Sequence, residues 1–122
     1  MTDRLIKVLE TGKLILRGLK GRGRAAVLNM DDDETLNITI NWSDWLGSDT
    51  ISSVTNEVTA ATVSGASNTT ITATFNVSGS HSGWVQHRIT TAAGLTKELL
   101  ILVEVAGFPV MDDYGLAYRL TA

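Results

Sequence analysis

The chain has 122 residues, 43% of them hydrophobic, with no cysteine and a net charge of −3. This length suits one domain that can bury a core without disulfides or metal, and the lack of cysteine excludes disulfides and thiolate metal sites. The small net charge gives no reason to expect a nucleic-acid partner. No apolar run approaches the ~20 residues of a membrane span, so neither a signal peptide nor a membrane segment is expected.

Charge is distributed unevenly along the chain. Residues 1–30 carry seven Lys and Arg against two acids, whereas the rest carries three basic and eleven acidic residues. A basic N-terminal arm on an acidic body favours contact between copies, or with an acidic partner. Uneven surface charge without a function is the simpler interpretation, and the sequence alone does not separate the two.

Residues 1–30 are predicted to form an N-terminal arm and connector outside the core. The apolar residues of 4–19 fit either a helical stripe or two short strands around a turn at Thr11-Gly12. Gly12 favours the hairpin, because glycine disfavours a helix interior by about 1 kcal/mol relative to alanine. Three glycines alternating with basic residues over 18–24 predict a flexible connector.

The next predicted features are a short strand at 25–28 and an acidic loop at Asp31–Glu34. Four successive acids repel one another and stay in water, which is typical of a loop. This loop lacks the alternating ligands and the glycine of a calcium-binding EF-hand, so it is not expected to bind a metal.

From Thr35 onward the sequence shows the two-residue period of strands with one buried face. Apolar residues from Leu36 to Trp42 alternate with polar ones, and the alternation stops at the polar Ser43-Asp44, before a predicted turn at Gly47–Asp49. Further strands are predicted at 50–55, 58–63, 70–77, 84–91 and 99–105. The last of these is nearly continuously apolar, as in a central strand contacted on both faces.

Short strands at about ten-residue intervals, separated by glycine-bearing turns, indicate an all-β fold, an antiparallel β-sandwich over residues 31–105. Residues 106–122 are a predicted C-terminal tail, in which Tyr114, Leu116, Tyr118 and Leu120 alternate with other residues. This alternation predicts one extra strand, which would pair either with its own domain or with a neighbouring subunit.

Few residues have the types that catalysis or metal binding requires. His81 lies in a predicted turn, and His87 lies on the apolar face of its strand, where a lone histidine is usually a hydrogen-bonded core residue. Two histidines without cysteine are a poor zinc set, and no nucleophile elbow accompanies them. Asp44 and Asp49 are best explained as turn caps. We therefore expect no catalytic residue, no metal and no cofactor, and the protein is not predicted to be an enzyme.

The three tryptophans allow two interpretations. Trp84 lies opposite the predicted core face of its strand, so it could stack on sugars together with Trp45, as in a carbohydrate-binding module. An exposed tryptophan is more often the anchor of a protein interface, and an interface is the favoured interpretation.

Two stretches resemble a known family. Asp33–Ser53 (DETLNITINWSDWLGSDTISS) and Arg88–Glu98 (RITTAAGLTKE) are similar to small virion proteins of tailed bacteriophages, the fibre–tail adaptors, over about residues 31–105. The family commonly has a proline in the acidic loop, where this chain has Asp32 or Asp33. The resemblance implies an immunoglobulin-like sandwich with N-terminal and C-terminal extensions, and a non-enzymatic structural role.

The resulting hypothesis is an adaptor that joins fibre or spike components to the tail or neck of the virion. Its alternatives are a capsid cement protein and, in another class, a carbohydrate-binding module. The expected partners are other virion proteins and further copies of the chain, with no nucleic acid and no membrane, and the expected location is the virion after synthesis in the host cytoplasm. Predicted partner-binding residues are Leu5, Ile6, Leu14, Leu16, Arg22, Arg24, Trp84, Tyr114 and Tyr118.

Overall fold

The structure is a computed structural model that describes residues 4–22, 25–31, 34–79 and 81–105. These residues form ten strands and one short helix. In chain order they are β1 (Arg4–Val8), β2 (Leu14–Arg17), β3 (Lys20–Arg22), β4 (Ala25–Met30), β5 (Thr35–Asn41), α1 (Ser43–Leu46), β6 (Ile51–Thr59), β7 (Thr62–Asn68), β8 (Thr72–Ser78), β9 (Gly83–Thr91) and β10 (Thr96–Val105).

The strands form two five-stranded sheets that pack as a sandwich. Sheet A has the order β2-β1-β5-β8-β7, and sheet B has the order β3-β4-β10-β9-β6. The chain changes sheet five times among the described strands: after β2, β4, β5, β6 and β8. The β2–β3 and β6–β7 crossings join edge strands at opposite sides of the sandwich. The predicted all-β sandwich is confirmed.

Two of the pairings are parallel, which the sequence pattern did not indicate. β1 runs parallel to β5, with Ile6 opposite Ile40, and β4 runs parallel to β10, with Ala26 opposite Ile101. The other pairings among the described strands are antiparallel. Parallel partners need a long connection, and here the intervening strands of both sheets supply it.

The core lies between the sheets and is built from alternate residues of each strand. On β8 the side chains of Ala73, Phe75 and Val77 are buried while the residues between them are half-buried. The same alternation buries one face of β5, β9 and β10. β10 lies in the middle of sheet B, but its outer face is only partly covered, because Leu100 on that face is 37% exposed.

The N-terminal residues contribute to this core, which differs from the expected separate arm. The predicted hairpin is confirmed: β1 pairs with β2 around a turn in which the Gly12 amide donates to the Leu9 carbonyl at 2.8 Å. Ile6 and Val8 are fully buried because β1 lies between β2 and β5. The predicted connector over 18–24 contains strand β3, whose Gly21 pairs with Ala26.

The local differences from the predicted strands have conformational causes. The residues after Trp42 form the single helical turn α1 before the predicted turn at Gly47, whose φ is +61°. The predicted strand at 58–63 is divided by a turn at Ala60, a non-glycine residue with a φ of +60°. β8 begins at Thr72, so Ile71 precedes the strand and is 41% exposed. The predicted C-terminal strand lies outside the described residues.

Candidate interaction surfaces

A hydrogen-bonded polar cluster among the described residues joins the two sheets through the interior. Trp42 follows β5 of sheet A, and its Nε1 donates a hydrogen bond to Nε2 of His87 on β9 of sheet B at 3.3 Å. The other imidazole nitrogen, Nδ1, is 2.7 Å from Oδ1 of Asn56 on β6. Because Nε2 accepts from an indole that can only donate, the proton of the neutral imidazole is on Nδ1, which donates to Asn56.

This environment makes His87 a structural residue, as the sequence predicted. Its ring is fully buried and stacks between Trp42 and Phe75, with centroid separations of 5.8 and 5.7 Å. Burial lowers the pKa of His87 from 6.5 to about 4, because the charged form cannot be solvated there. A buried, neutral and doubly hydrogen-bonded imidazole is unavailable to a substrate.

The carboxylates that sequence reasoning considered have structural partners. Oδ1 of Asp49 accepts from the Thr50 and Ala93 amides at 2.9 and 3.3 Å, so this residue ties the turn before β6 to the β9–β10 turn. The pKa of Asp49 is lowered by hydrogen bonds, of which the one with the Thr91 side chain has the largest effect. Asp44 forms an exposed ion pair with Lys7 at 3.6 Å. Asp49 thus holds a turn, as expected, whereas Asp44 caps no turn in the described residues and instead links α1 to β1.

Over the described ranges, no cluster of three or more His, Asp or Glu side chains is arranged to hold a metal ion. In the same part of the chain, no helix has the length and apolar character that crossing a membrane requires.

The first candidate surface is an exposed apolar patch on the outer face of sheet B, which we name the Trp84 patch. It consists of Trp84 on β9 with Leu100 and Leu102 on β10. Trp84 pairs directly with Leu102 across the two strands, at the separation where opposite side chains interact. The side chains of Trp84 and Leu100 are 42% and 37% exposed. Large apolar side chains in this arrangement are typical of an interface anchor.

Charged side chains border the Trp84 patch on the same outer face. Nε of Arg88 donates to Oε2 of Glu98 at 2.8 Å, and the Arg88 guanidinium also lies 3.9 Å from Glu57. Gln86, between the patch and this group, donates to Oε1 of Glu98 at 3.2 Å. The hydrogen bond and charge of Glu98 raise the pKa of Arg88. An apolar centre with a polar border is the usual anatomy of a protein interface.

The second candidate surface is a cleft of about 580 Å³ between the edge strands of the two sheets, which we name the β2–β3 cleft. Leu14 and Leu16 of β2 line one side, and Gly21 and Ala25 line the other. Its remaining lining residues are Thr11, Gly12, Lys13 and Lys97. Leu14 and Leu16 also pack on the core, so the walls of the cleft are continuous with the hydrophobic interior.

The β2–β3 cleft is positively charged at its Lys97 end. A Cβ built on Gly12 would lie 3.6 Å from Nζ of Lys97, so this ammonium group sits beside the β1–β2 turn, next to Lys13. Among the described residues, neither lysine has a carboxylate within 4.0 Å. The cleft can therefore accept a ligand that combines apolar groups with negative charge.

The predicted partner-binding residues are in different environments. Ile6 is fully buried in the core, which leaves it no surface for a partner, while Leu5 on the same strand is half-buried. Leu14 and Leu16 line the β2–β3 cleft, and Trp84 is exposed. Arg22 belongs to β3, its side chain is not described, and the remaining three predicted residues lie outside the described ranges: Arg24, Tyr114 and Tyr118.

Sequence reasoning missed several residues of both surfaces. Leu100 and Leu102 belong to an apolar run whose exposed members cannot be identified until the register with β9 is known. Lys97 meets Thr11 and Lys13 only because the fold brings the start of β10 to the β1–β2 turn. The one available signal was Trp84, since its position in the alternation marked the outer face of β9.

The tryptophans do not form a shared sugar-binding platform. Trp42 is buried, and Trp45 packs edge-on against it with a centroid separation of 5.7 Å. Trp84 lies on the outer face of sheet B. A stacking surface built from Trp45 and Trp84 together is therefore not present.

The fold is a two-sheet sandwich, and the described polar groups of its interior have structural roles. Its surface presents an apolar patch and a charged cleft. These features define the class of binding modules. Residues 30–104, more than half of the chain, match the profile of the family described as podophage GP4 fiber-tail adaptor protein gp77. The chain belongs to this family, so it is a structural protein of the virion that binds other virion proteins. No curated protein matches the chain.

Proposed function

We propose that this protein is a non-enzymatic adaptor that joins a fibre or spike component to the tail or neck, and that the Trp84 patch is one of its contacts. The observation that carries the proposal is the family match over residues 30–104, which contain β5 to β9 and all but the last residue of β10. The patch supplies what an adaptor needs, a fixed apolar surface on a rigid sheet.

The geometry of the patch supports a protein partner. Trp84 and Leu102 are neighbours on adjacent strands whose opposite faces carry the buried residues Val85 and Ile101. Their backbones are therefore held in place by the core. Because of this, little conformational entropy is lost when a partner binds these side chains. Tryptophan is also the residue type most enriched among those that dominate binding energy.

A structural role without catalysis agrees with the adaptor description of the family. The chemistry of His87 points the same way, because both ring nitrogens are engaged and the ring is fully buried. An adaptor acts through stable association, so its performance depends on surface complementarity and on copy number at the joint.

The test is to substitute Trp84→Ala in a tagged protein and to measure its incorporation into purified particles. Ile71→Ala is the matched control, because Ile71 is equally exposed at 41% but lies before β8 of sheet A. We expect Trp84→Ala to fold with an unchanged thermal midpoint and to be lost from particles, while Ile71→Ala is retained. Full retention of a folded Trp84→Ala would remove the patch as a contact.

Electron microscopy of labelled particles tests the location. Label at the fibre base, tail or neck supports the adaptor. Label spread over the head shell would instead make the protein a capsid cement protein. Absence from particles would overturn the proposed function, and binding of glycans that is lost in Trp84→Ala would then favour a carbohydrate-binding module.

A further inference from the structure

Four of the described strands lie at sheet edges: β2 and β7 in sheet A, and β3 and β6 in sheet B. An open edge presents backbone amides and carbonyls to other chains, so proteins usually protect it by short length, charge or a bulge. β2 has four residues and ends in Arg17, and β3 has three and begins with Lys20. The pairing of β7 with β8 is interrupted between Ser64 and Ser67. Three of the four edges are therefore protected.

The edge of β6 is long and regular. β6 has nine residues, of which Glu57 is charged and none is proline. After an irregularity at its start, its pairing with β9 is regular from Ser53 to Thr59. A cavity of about 140 Å³ lies between Asn56 of β6 and Ser67 of β7, so β7 does not close this side of the sandwich. Among the four described edges, β6 is thus the one suited to accept another strand.

The hydrogen bonds of β9 show which backbone groups of β6 face the free edge. The Thr91 amide donates to the Leu95 carbonyl at 2.8 Å, towards β10. Because backbone groups alternate in direction along a strand, those of Arg88 point towards β6 and bond its partner, Thr55. The alternate residues of β6 therefore direct their amides and carbonyls away from β9: Val54, Asn56 and Val58.

The side chains of the same three residues face the interior, because their β9 partners are buried: Ile89, His87 and Val85. Val58 is nevertheless 42% exposed, and Val54 and Asn56 are half-buried. Asn56 uses one lone pair of Oδ1 to accept from His87, so its second lone pair and its two amide hydrogens remain for a further partner. A strand added at this edge would cover the two valines and bond the amide.

β6 is complementary to itself in one antiparallel register, in which Asn56 lies opposite Asn56 of a second copy. Val54 then lies opposite Val58 on the inner face, and on the outer face Thr55 lies opposite Glu57. A register centred on Glu57 would instead place two carboxylates opposite each other, which is destabilising. A register centred on Thr55 would place the apolar Val54 opposite the amide of Asn56. The match in the first register favours a second copy as the occupant.

We propose that β6 pairs with β6 of a second copy in the Asn56-centred register, so that the two copies of sheet B join into one continuous sheet. The side-chain amide of each Asn56 donates to Oδ1 of the other. The chain already contains such a pair, since Nδ2 of Asn37 donates to Oδ1 of its cross-strand partner Asn76 at 3.0 Å. The contact is isologous and closed. It is separate from the Trp84 patch, and its test needs no other virion protein.

Disulfide trapping tests the register, because the full chain has no cysteine of its own. Copies that carry Thr55→Cys are mixed with copies that carry Glu57→Cys. In the proposed register these positions are opposite, with Cα atoms about 4.5 Å apart, which a disulfide can bridge. Two identical positions are diagonal neighbours, about 7–8 Å apart. We expect mixed dimers to form at least about tenfold faster than dimers of either variant with itself.

Two trapping results would overturn the proposal. Equal rates for mixed and self dimers would mean that β6 does not pair with β6, which leaves its edge to a strand of another virion protein. Faster self dimers of Thr55→Cys would show that the strands pair in the Thr55-centred register instead.

Blocking the edge tests whether the contact forms in the cysteine-free protein. Val58→Lys leaves the ammonium group able to reach water in a single copy, but in the pair it would be buried opposite Val54. Ile71→Lys is the matched control, because Ile71 is equally exposed at 41% but precedes β8 in sheet A. In sedimentation velocity we expect the unsubstituted protein and the control to be dimers, and Val58→Lys to be a folded monomer. A dimer of Val58→Lys would contradict the proposal.

Charge exchange at exposed positions provides a test that does not disturb the interior. Thr55→Glu would face Glu57 of the other copy at two symmetric places, so we expect the dimer Kd to rise by about three- to tenfold. Adding Glu57→Lys to the same chain should restore the dimer, because each glutamate then faces a lysine. Raised salt should reduce both effects. A failure of the second substitution to restore the dimer would refute the register.

Discussion

Trp42 and His87 are joined by a hydrogen bond across the interior, from the indole Nε1 to the imidazole Nε2 at 3.3 Å. The first residue follows a strand of sheet A and the second lies within sheet B. The contact determines the tautomer of His87, because the indole can only donate. The two sheets are thus tied through one neutral imidazole, and its charge state bears on their association.

The stability of the protein is expected to fall in mild acid because of His87. Its pKa is lowered from 6.5 to about 4 by burial, so between these values the unfolded chain binds a proton that the folded chain does not. The free energy of unfolding therefore decreases as the pH falls from 6.5 towards 4. At about 1.4 kcal/mol per pH unit, the loss is about 3 kcal/mol. Urea denaturation at several pH values measures it.

The control for this pH dependence is His87→Gln, which keeps a polar side chain but does not titrate. We expect the variant to be less stable at neutral pH, and to lose much less stability between pH 6.5 and 5 than the unsubstituted protein. The same slope in both proteins would mean that other groups cause the acid sensitivity.

Trp42→Phe should lower the free energy of unfolding by more than the smaller ring alone would. The substitution removes the only hydrogen-bond donor that the structure gives Nε2 of His87 and leaves that buried nitrogen without a partner. An unpaired buried polar group costs about 1–3 kcal/mol. Trp45→Phe is the matched control, because Trp45 is half-buried and makes no described hydrogen bond through its indole. Comparable unfolding free energies for the two variants would contradict this account.

Gly83→Ala should be strongly destabilising, whereas Gly21→Ala should be nearly neutral. A Cβ on Gly83 would lie 1.8 Å from the Thr59 carbonyl oxygen, so the backbone of β6 or β9 would have to move. Such overpacking costs about 1–3 kcal/mol or more. A Cβ on Gly21 would meet only Leu16, at an ordinary 3.5 Å. Thermal unfolding of both variants gives the comparison, and equal midpoints would refute it.

The N-terminal hairpin should be essential for folding. Ile6→Ala removes a fully buried side chain and is expected to cost about 2–5 kcal/mol. Ile15→Ala, on the paired strand, changes a side chain that is 53% exposed and should cost less than about 1 kcal/mol. Deletion of residues 1–24 should leave an unfolded chain, measured by circular dichroism. A folded deletion product would restore the hypothesis of a separate arm.

The sequence predicted those strands in which burial alternates regularly. On β5, β8 and β9 one face is apolar and the other polar, so the two-residue period is visible in the residue types themselves. His87 was correctly assigned to the core by the same pattern. The hairpin of β1 and β2 was identified from Gly12, whose φ of +89° suits the turn.

Other features depend on contacts between distant segments. The parallel pairing of β1 with β5 converts an apparent arm into core, and no local pattern in residues 4–8 distinguishes the two. The turn at Ala60 was missed because alanine rarely adopts a positive φ. The β2–β3 cleft needs residues 11–14 and Lys97 together, so it exists only once both sheets are assembled.

Because β10 lies in the middle of sheet B, sheet B cannot be completed until β10 has been synthesised. Ala26 of β4 must wait for Ile101 to be synthesised before it gains its partner, a delay of roughly 4 to 15 s at common elongation rates. During that interval the apolar strand made early in translation has no neighbour on that side. Production of this protein should therefore respond to elongation speed and to chaperone supply more than its small size suggests.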